Sequence, residues 1–270
     1  MSVARWLSTS WGRAAHCGSR CGAPDHRKWA CAVQVRGYMH SSQLQRFFTN
    51  RTHKKLCAGC GKPSALLLER CSFCGEALLE EHVQPTGRDP LLDAVLGPPP
   101  GSGPSKRADS GEGFVELHRS FDMLVVKHRF PVGRHHLLAL PKSTCYDLRQ
   151  LRRSQVPLLR KLRAKAMECL RERLTLRKAA PEPPVLCGFS YPADYNHLHL
   201  HVVMPPFVRA DLFTRYVFYT YEEVEADLER YGQVRPHAVL DPEGEELLER
   251  RVATLQHRAR AAAAAAQGGA

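Results

Sequence analysis

From Asn196 to Pro205 the chain reads Asn-His-Leu-His-Leu-His-Val-Val-Met-Pro. Histidine occupies positions 197, 199 and 201, and an apolar residue fills each gap. A β-strand sends successive side chains to opposite faces, so a strand here puts three imidazoles on one face and Leu198, Leu200 and Val202 on the other, ready to enter a core. A helix would scatter the same residues round its axis. Three readings compete for such a face. A solvated strand carries little weight, because histidine is uncommon and three in perfect alternation are hard to reach by chance. A metal site is consistent with imidazole chemistry but lacks a nearby fourth ligand. In the third reading the middle ring attacks phosphorus while its neighbours handle protons and phosphate oxygens.

The surrounding sequence supplies a sheet and a helix. Phe114–His118 and Met123–Val126 read as two strands with a turn between them, and His136–Leu140 as a third, ended by Pro141. Ser154 is the predicted cap of a long helix, with Pro157 in its first turn and Leu158, Leu159, Leu162, Ala166, Leu170 and Leu174 as the buried stripe. Its other faces are basic: eleven Lys and Arg lie between 149 and 178, opposed by Glu168 and Glu172 alone. That excess is more than solubility needs and points to a nucleic-acid contact, RNA or DNA, with a solvated face as the plainer reading. Val185–Tyr191 reads as the strand before the triad, Tyr216–Thr220 as the strand after it, and Tyr221–Tyr231 as a short helix.

The His-apolar-His-apolar-His run, the stretch from Arg129-Phe130-Pro131 to Leu140-Pro141-Lys142, the helix after Ser154, and Gly188-Phe189 together resemble the histidine-triad (HIT) superfamily of nucleotide hydrolases and transferases. The resemblance covers about residues 114–232 and is nearest to the branch holding aprataxin and the histidine-triad nucleotide-binding proteins. It implies an α+β fold, an antiparallel sheet with a long packed helix. It also implies that His199 attacks the α-phosphorus of a nucleotide to give a nucleotidyl-histidine, with His197 and His201 orienting it and serving phosphate and leaving group. His136 and Asn196 are the substrate-binding candidates it adds, the former with an equal reading as a core histidine. Two departures stand out. The family's ribose-binding carboxylate falls on His128 by register, and its common phosphate-contacting Ser, three residues before the first triad His, falls on Asp194.

Residues 50–84 carry Cys57-Ala58-Gly59-Cys60-Gly61 and Cys71-Ser72-Phe73-Cys74-Gly75. Each knuckle puts two thiolates on one turn, and a glycine after the second cysteine lets the backbone amides point at sulfur. Two knuckles complete a tetrahedral site, so Cys57, Cys60, Cys71 and Cys74 are the expected ligands of one structural zinc in a small ribbon. Thiols are read as reduced, since the resembled family is intracellular.

The segment 85–113, with Gly97-Pro98-Pro99-Pro100-Gly101-Ser102-Gly103-Pro104, reads as a flexible linker. Residues 1–38 set Arg5, Arg13, Arg20, Arg27, Lys28 and Arg36 against Asp25 alone, and no acid occurs before position 25. Trp6, Leu7, Trp11 and Ala14 share one helical side, so 1–38 reads as a transit peptide to the mitochondrial matrix; a basic tail, and plastid, nucleus or cytoplasm as destinations, stay open. Of the net charge of +12, most remains without this segment, which favours an anionic partner or substrate. No apolar run of transmembrane length occurs. Residues 233–270 read as a helix opened by Asp241-Pro242-Glu243, fraying through Ala261–Ala266 into Gly268-Gly269. Homodimerisation is left open.

Function therefore divides two ways at this stage. One is a nucleotidyl hydrolase or transferase acting on a nucleotide phosphoramidate, anhydride or adenylylated nucleic-acid end. The other is a weakly catalytic scaffold that binds RNA or a ribosome through the basic helix and the ribbon.

Overall fold

The computed structural model describes residues 52–66, 68–86, 89–96, 114–176, 181–191, 193–208, 213, 217–235 and 242–268, with side chains to residue 264. The transit-peptide reading over 1–38 and the Pro/Gly part of the linker lie outside the described residues.

The larger part of the described chain is built on one six-stranded antiparallel sheet. Its strands are β4 (Val115–Arg119), β5 (Met123–Lys127), β6 (Gly133–Pro141), β7 (Leu186–Ser190), β8 (Leu200–Phe207) and β9 (Phe218–Thr220), in the spatial order β4-β5-β6-β8-β7-β9. The alternation in β6 and β8 sorts residues onto the two faces. Leu137, Ala139, Leu200 and Val202 enter the core under helix α2 (Val156–Arg173), joined by Leu198 from just before β8 and by Leu159, Leu162, Ala166 and Leu170 from the helix. On the opposite face, Leu138 and Leu140 pack with Leu91 and Val95 of helix α1 (Pro90–Leu96), and Val203 packs with Leu248 and Leu255 of helix α4 (Pro242–Gly268). Helix α3 (Tyr221–Tyr231) is capped by Thr220, whose side chain accepts from Glu223 N while Glu223 answers the Thr220 amide.

Several sequence expectations need correction. The triad strand starts at Leu200, so His197 and His199 precede the regular ladder. The last β6–β8 pair is Ala139 with Leu200, and the His197 carbonyl turns to the His199 ring instead of a neighbouring strand. Ser154 does not cap α2; a single 3₁₀ turn, Arg153–Gln155, intervenes and the α-helix begins at Val156. The linker is not structureless throughout: Asp89 caps α1, accepting from Leu91 N at 2.8 Å, and Leu91 and Val95 bury themselves on the sheet. The alanine run continues α4 to Gly268, in keeping with alanine's helix propensity.

The four-cysteine segment forms a second, three-stranded antiparallel sheet of β1 (His53–Leu56), β2 (Pro63–Ser64) and β3 (Val83–Pro85), in the order β2-β1-β3. Among the described residues its own apolar cluster is Cys57, Cys71 and Leu78, with Cys60, Leu68 and Phe73 against it. It does not hang free of the six-stranded sheet's half. Lys54 Nζ donates to Ala193 O at 2.7 Å, Ala65 N to Asp194 Oδ1 at 3.2 Å, and the rings of Phe73 and Phe130 meet edge to face at 5.3 Å.

Candidate active site and metal centre

The site follows from which ring nitrogens carry protons. A carbonyl oxygen can only accept, so the 2.7 Å contact of His199 Nδ1 with the His197 carbonyl places the proton on Nδ1. The neutral ring then keeps its lone pair on Nε2, and that atom is buried with no hydrogen-bond partner. Burial, the largest influence, lowers the pKa of His199 below the ordinary imidazole value, while its backbone hydrogen bond and the carboxylates Asp194 and Asp89 pull the other way. The edge of Tyr195 approaches the ring at 5.7 Å between centroids. His199 thus presents an oriented, unprotonated ring nitrogen, the form an imidazole needs to act as a nucleophile.

The same accounting fixes its neighbours. Val132 N donates to His136 Nδ1 at 3.3 Å, so His136 carries its proton on Nε2 and donates it to His201 Nδ1 at 2.9 Å. His201 must then hold its own proton on Nε2, which faces Ser190 Oγ at 2.9 Å. The His199 and His201 rings lie 4.7 Å apart, so a fixed N–H donor stands beside the His199 ring. His197 spends its Nε2–H on the Pro141 carbonyl at 2.7 Å, which anchors the segment whose own carbonyl orients His199. His128 accepts from Phe130 N through Nδ1 at 2.8 Å and stacks on His136 at 4.1 Å. Burial pushes the pKa of His128, His136 and His201 well below the usual value, with charge on neighbouring imidazoles and Lys62 acting in the same direction.

His128, His136 and His201 bring nitrogens within 4.8 Å of one another, the geometry of a metal cluster. Their hydrogen bonds argue otherwise. The Nδ1 lone pair of each is already taken, by Phe130 N, Val132 N and His136 respectively, and the second nitrogen of each holds a proton. No lone pair remains for a cation. The arrangement is a relay of locked tautomers behind the third triad histidine.

The cysteines behave differently. Cys57, Cys60, Cys71 and Cys74 bring their Sγ atoms within 4.8 Å of one another, with Cys57–Cys74 at 3.3 Å and Cys60–Cys71 at 3.7 Å. Four sulfurs around one tetrahedral zinc stand about 3.8 Å apart, given ~2.3 Å bonds. Gly61 and Gly75 hold φ of 68° and 81°, the left-handed turn each knuckle requires. A backbone hydrogen bond from Glu76 lowers the pKa of the Cys74 thiol, while burial raises those of Cys57 and Cys60. These four residues can bind a metal ion.

Of the residues expected from sequence, the structure brings the rings of His199 and His201 together and sets His197 as the anchor of their segment. His136 stands behind His201, with its ring committed to that histidine, and Asn196 gives its backbone N–H to Asp89. Sequence reasoning missed Lys62, Lys54 and Asp89, which converge on the segment 193–196 that leads into the triad. Nothing in the local sequence marks a lysine beside a cysteine knuckle as buried.

Residues 108–215 match the model of the family described as scavenger mRNA decapping enzyme, C-terminal binding. Over those residues, which include the three alternating histidines, the chain is similar to that family. Solved structures similar to this chain include a HIT family hydrolase from Legionella pneumophila Philadelphia 1, at 19% identity over 36% of this chain and 87% of that one, TM-score 0.29. They also include the aprataxin ortholog Hnt3 in complex with DNA, at 14% identity over 62% of this chain and 96% of that one, TM-score 0.34. The structure of Hnt3 in complex with DNA and guanosine stands at 15% identity with the same coverage and TM-score. No curated protein matches the sequence.

Proposed function

We propose that this histidine-triad domain is a nucleotidyl hydrolase or transferase that works through a nucleotidyl-histidine. The observation that carries the reading is His199 Nε2, a buried lone pair with no partner, on a ring whose other nitrogen is held by a carbonyl. Attack forms the Nε2–P bond at the α-phosphorus and breaks the bond from phosphorus to the leaving group. The positive charge that develops on the ring is stabilised through Nδ1–H by the His197 carbonyl. His201 Nε2–H, now on Ser190, is the hydrogen-bond donor at hand for a phosphate oxygen, and the departing group takes its proton from solvent water. Water attacking the same phosphorus then releases the nucleoside monophosphate and restores His199. Phosphoramidates, anhydrides and adenylylated nucleic-acid ends are the substrate classes to test. His199→Ala should lower turnover at least about a thousandfold and leave much of the nucleotide affinity; a near-normal rate would defeat the reading.

In this proposal the metal held by the four cysteines is zinc, and its role is structural, since four thiolates close the coordination sphere. The competing scaffold reading draws on the basic faces of α2. Part of that charge is matched within the fold: Arg160 meets Glu225 and Glu229 of α3 at 2.6 Å each, and Lys165 meets Glu168 at 2.6 Å. An intact, oriented nucleophile favours the enzyme. No helix among the described residues is long and apolar enough to cross a membrane. Delivery by residues 1–38 to the mitochondrial matrix belongs to the same proposal; those residues fused to a fluorescent reporter should carry it there, and a diffuse cytosolic signal would remove the localisation.

A further inference from the structure

Lys62 follows the first cysteine knuckle, a place where a lysine ordinarily reaches into solvent. Here its side chain is only 2% exposed, and its ammonium is paired with the carboxylate of Asp194, itself buried. Asp194 precedes His197 by three residues, and its other oxygen accepts from Ala65 N of the ribbon. A buried ion pair is seldom worth more to stability than an apolar contact of the same shape, so its retention here asks for another reason. The location supplies one. The Lys62 ammonium bears electrostatically on His128, His136 and His201, and the Asp194 carboxylate bears on His199. The pair sits on the segment that leads into the triad, three residues before His197.

Those four imidazoles are held neutral by burial and by their locked tautomers, so they meet an anionic phosphate with dipoles and no full charge. An ammonium fits that need. We propose that Lys62 is a phosphate-binding residue of the active site, delivered by the ribbon, and that Asp194 is the counter-ion that holds its ammonium until substrate phosphate takes the carboxylate's place. Lys54, buried on Ala193 and within electrostatic reach of Asp194, stays behind to balance the released carboxylate. The exchange costs little charge separation: one oxyanion replaces another on the same cation. It also gives the departure at position 194 a purpose, since an acid there would repel phosphate unless a cation stood between them. The proposal rests on the nucleotide reading above.

The test is equilibrium binding of adenosine, guanosine, AMP and GMP to the full metal-loaded chain, in wild type, Asp194→Asn and the charge-free pair Lys62→Met with Asp194→Asn. Thermal melts of each variant accompany the binding. The double variant should bind nucleosides like wild type and lose its preference for the monophosphates by about tenfold or more, the scale of one charge-assisted hydrogen bond. Asp194→Asn alone, with Lys62 released, should bind monophosphates more tightly than wild type. A double variant that keeps the wild-type ratio of monophosphate to nucleoside affinity would show the pair to be only a latch for the ribbon. If the double variant does not fold, Asp194→Asn decides, and weakened monophosphate binding there overturns the proposal. Wild type that binds neither nucleoside nor monophosphate would take down the nucleotide reading and this inference together.

Discussion

At the scale of single residues, the chemistry rests on where protons sit. A backbone carbonyl fixes the proton of His199, and two backbone amides fix those of His128 and His136. Because burial lowers the His199 pKa below about 6.5, the attacking form persists into mild acid. A pH profile of kcat/KM should therefore stay level from neutrality down past pH 6.5 and fall only below it; an acid limb centred above 6.5 would contradict the burial argument. Stability has its own sign. The folded pKa values of His128, His136 and His201 lie well below the unfolded value, so the unfolded chain takes up protons that the folded chain does not. Their contribution is complete above about pH 6.5 and is lost as pH falls from there towards the folded values. Urea titrations at pH 8 and pH 5.5 should show the loss, and equal stability at both would refute it.

At the scale of elements, the ribbon and the sheet differ in what holds them. The sheet has α2 on one face and α1 with α4 on the other, whereas the ribbon's apolar cluster among the described residues is just Cys57, Cys71 and Leu78. So small a core predicts a ribbon that folds only with a metal on its four cysteines. Adding a strong chelator should accelerate hydrogen exchange at the amides of Cys57, Gly75 and Ala65, which are bonded within the ribbon or to Asp194, while the β6 and β8 amides stay protected. Unchanged exchange at those three would show that the ribbon stands without metal. Much of this was legible in the sequence, because both motifs are local. The knuckle spacing places four sulfurs together, and the alternation of β8 sends Leu200 and Val202 beneath α2. What was not legible depends on contacts distant in the chain. Lys62 meets a residue 132 positions away and Lys54 one 139 away, and no periodicity records such a meeting. The break of the strand before Leu200 was equally hidden, since it follows from the His197 carbonyl choosing a ring over a ladder.

At the scale of the whole molecule, two modules that look separable in sequence make one site. The ribbon sets Lys54 and Lys62 on the segment before the triad, Asp89 at the start of α1 reaches the same segment, and the histidines come from β6, β8 and the segments leading into them. The departures at 128 and 194 are each answered within this assembly: His128 stacks on the relay behind His201, and Asp194 takes a cation from the ribbon. Everything converges on one nitrogen. The most direct test is mass spectrometry, under acid-free conditions, of the full chain mixed with a slow nucleotide phosphoramidate. The account predicts a nucleotidyl adduct on His199, absent from His199→Ala. An adduct on any other residue, or turnover that continues in His199→Ala with no adduct at all, would contradict it.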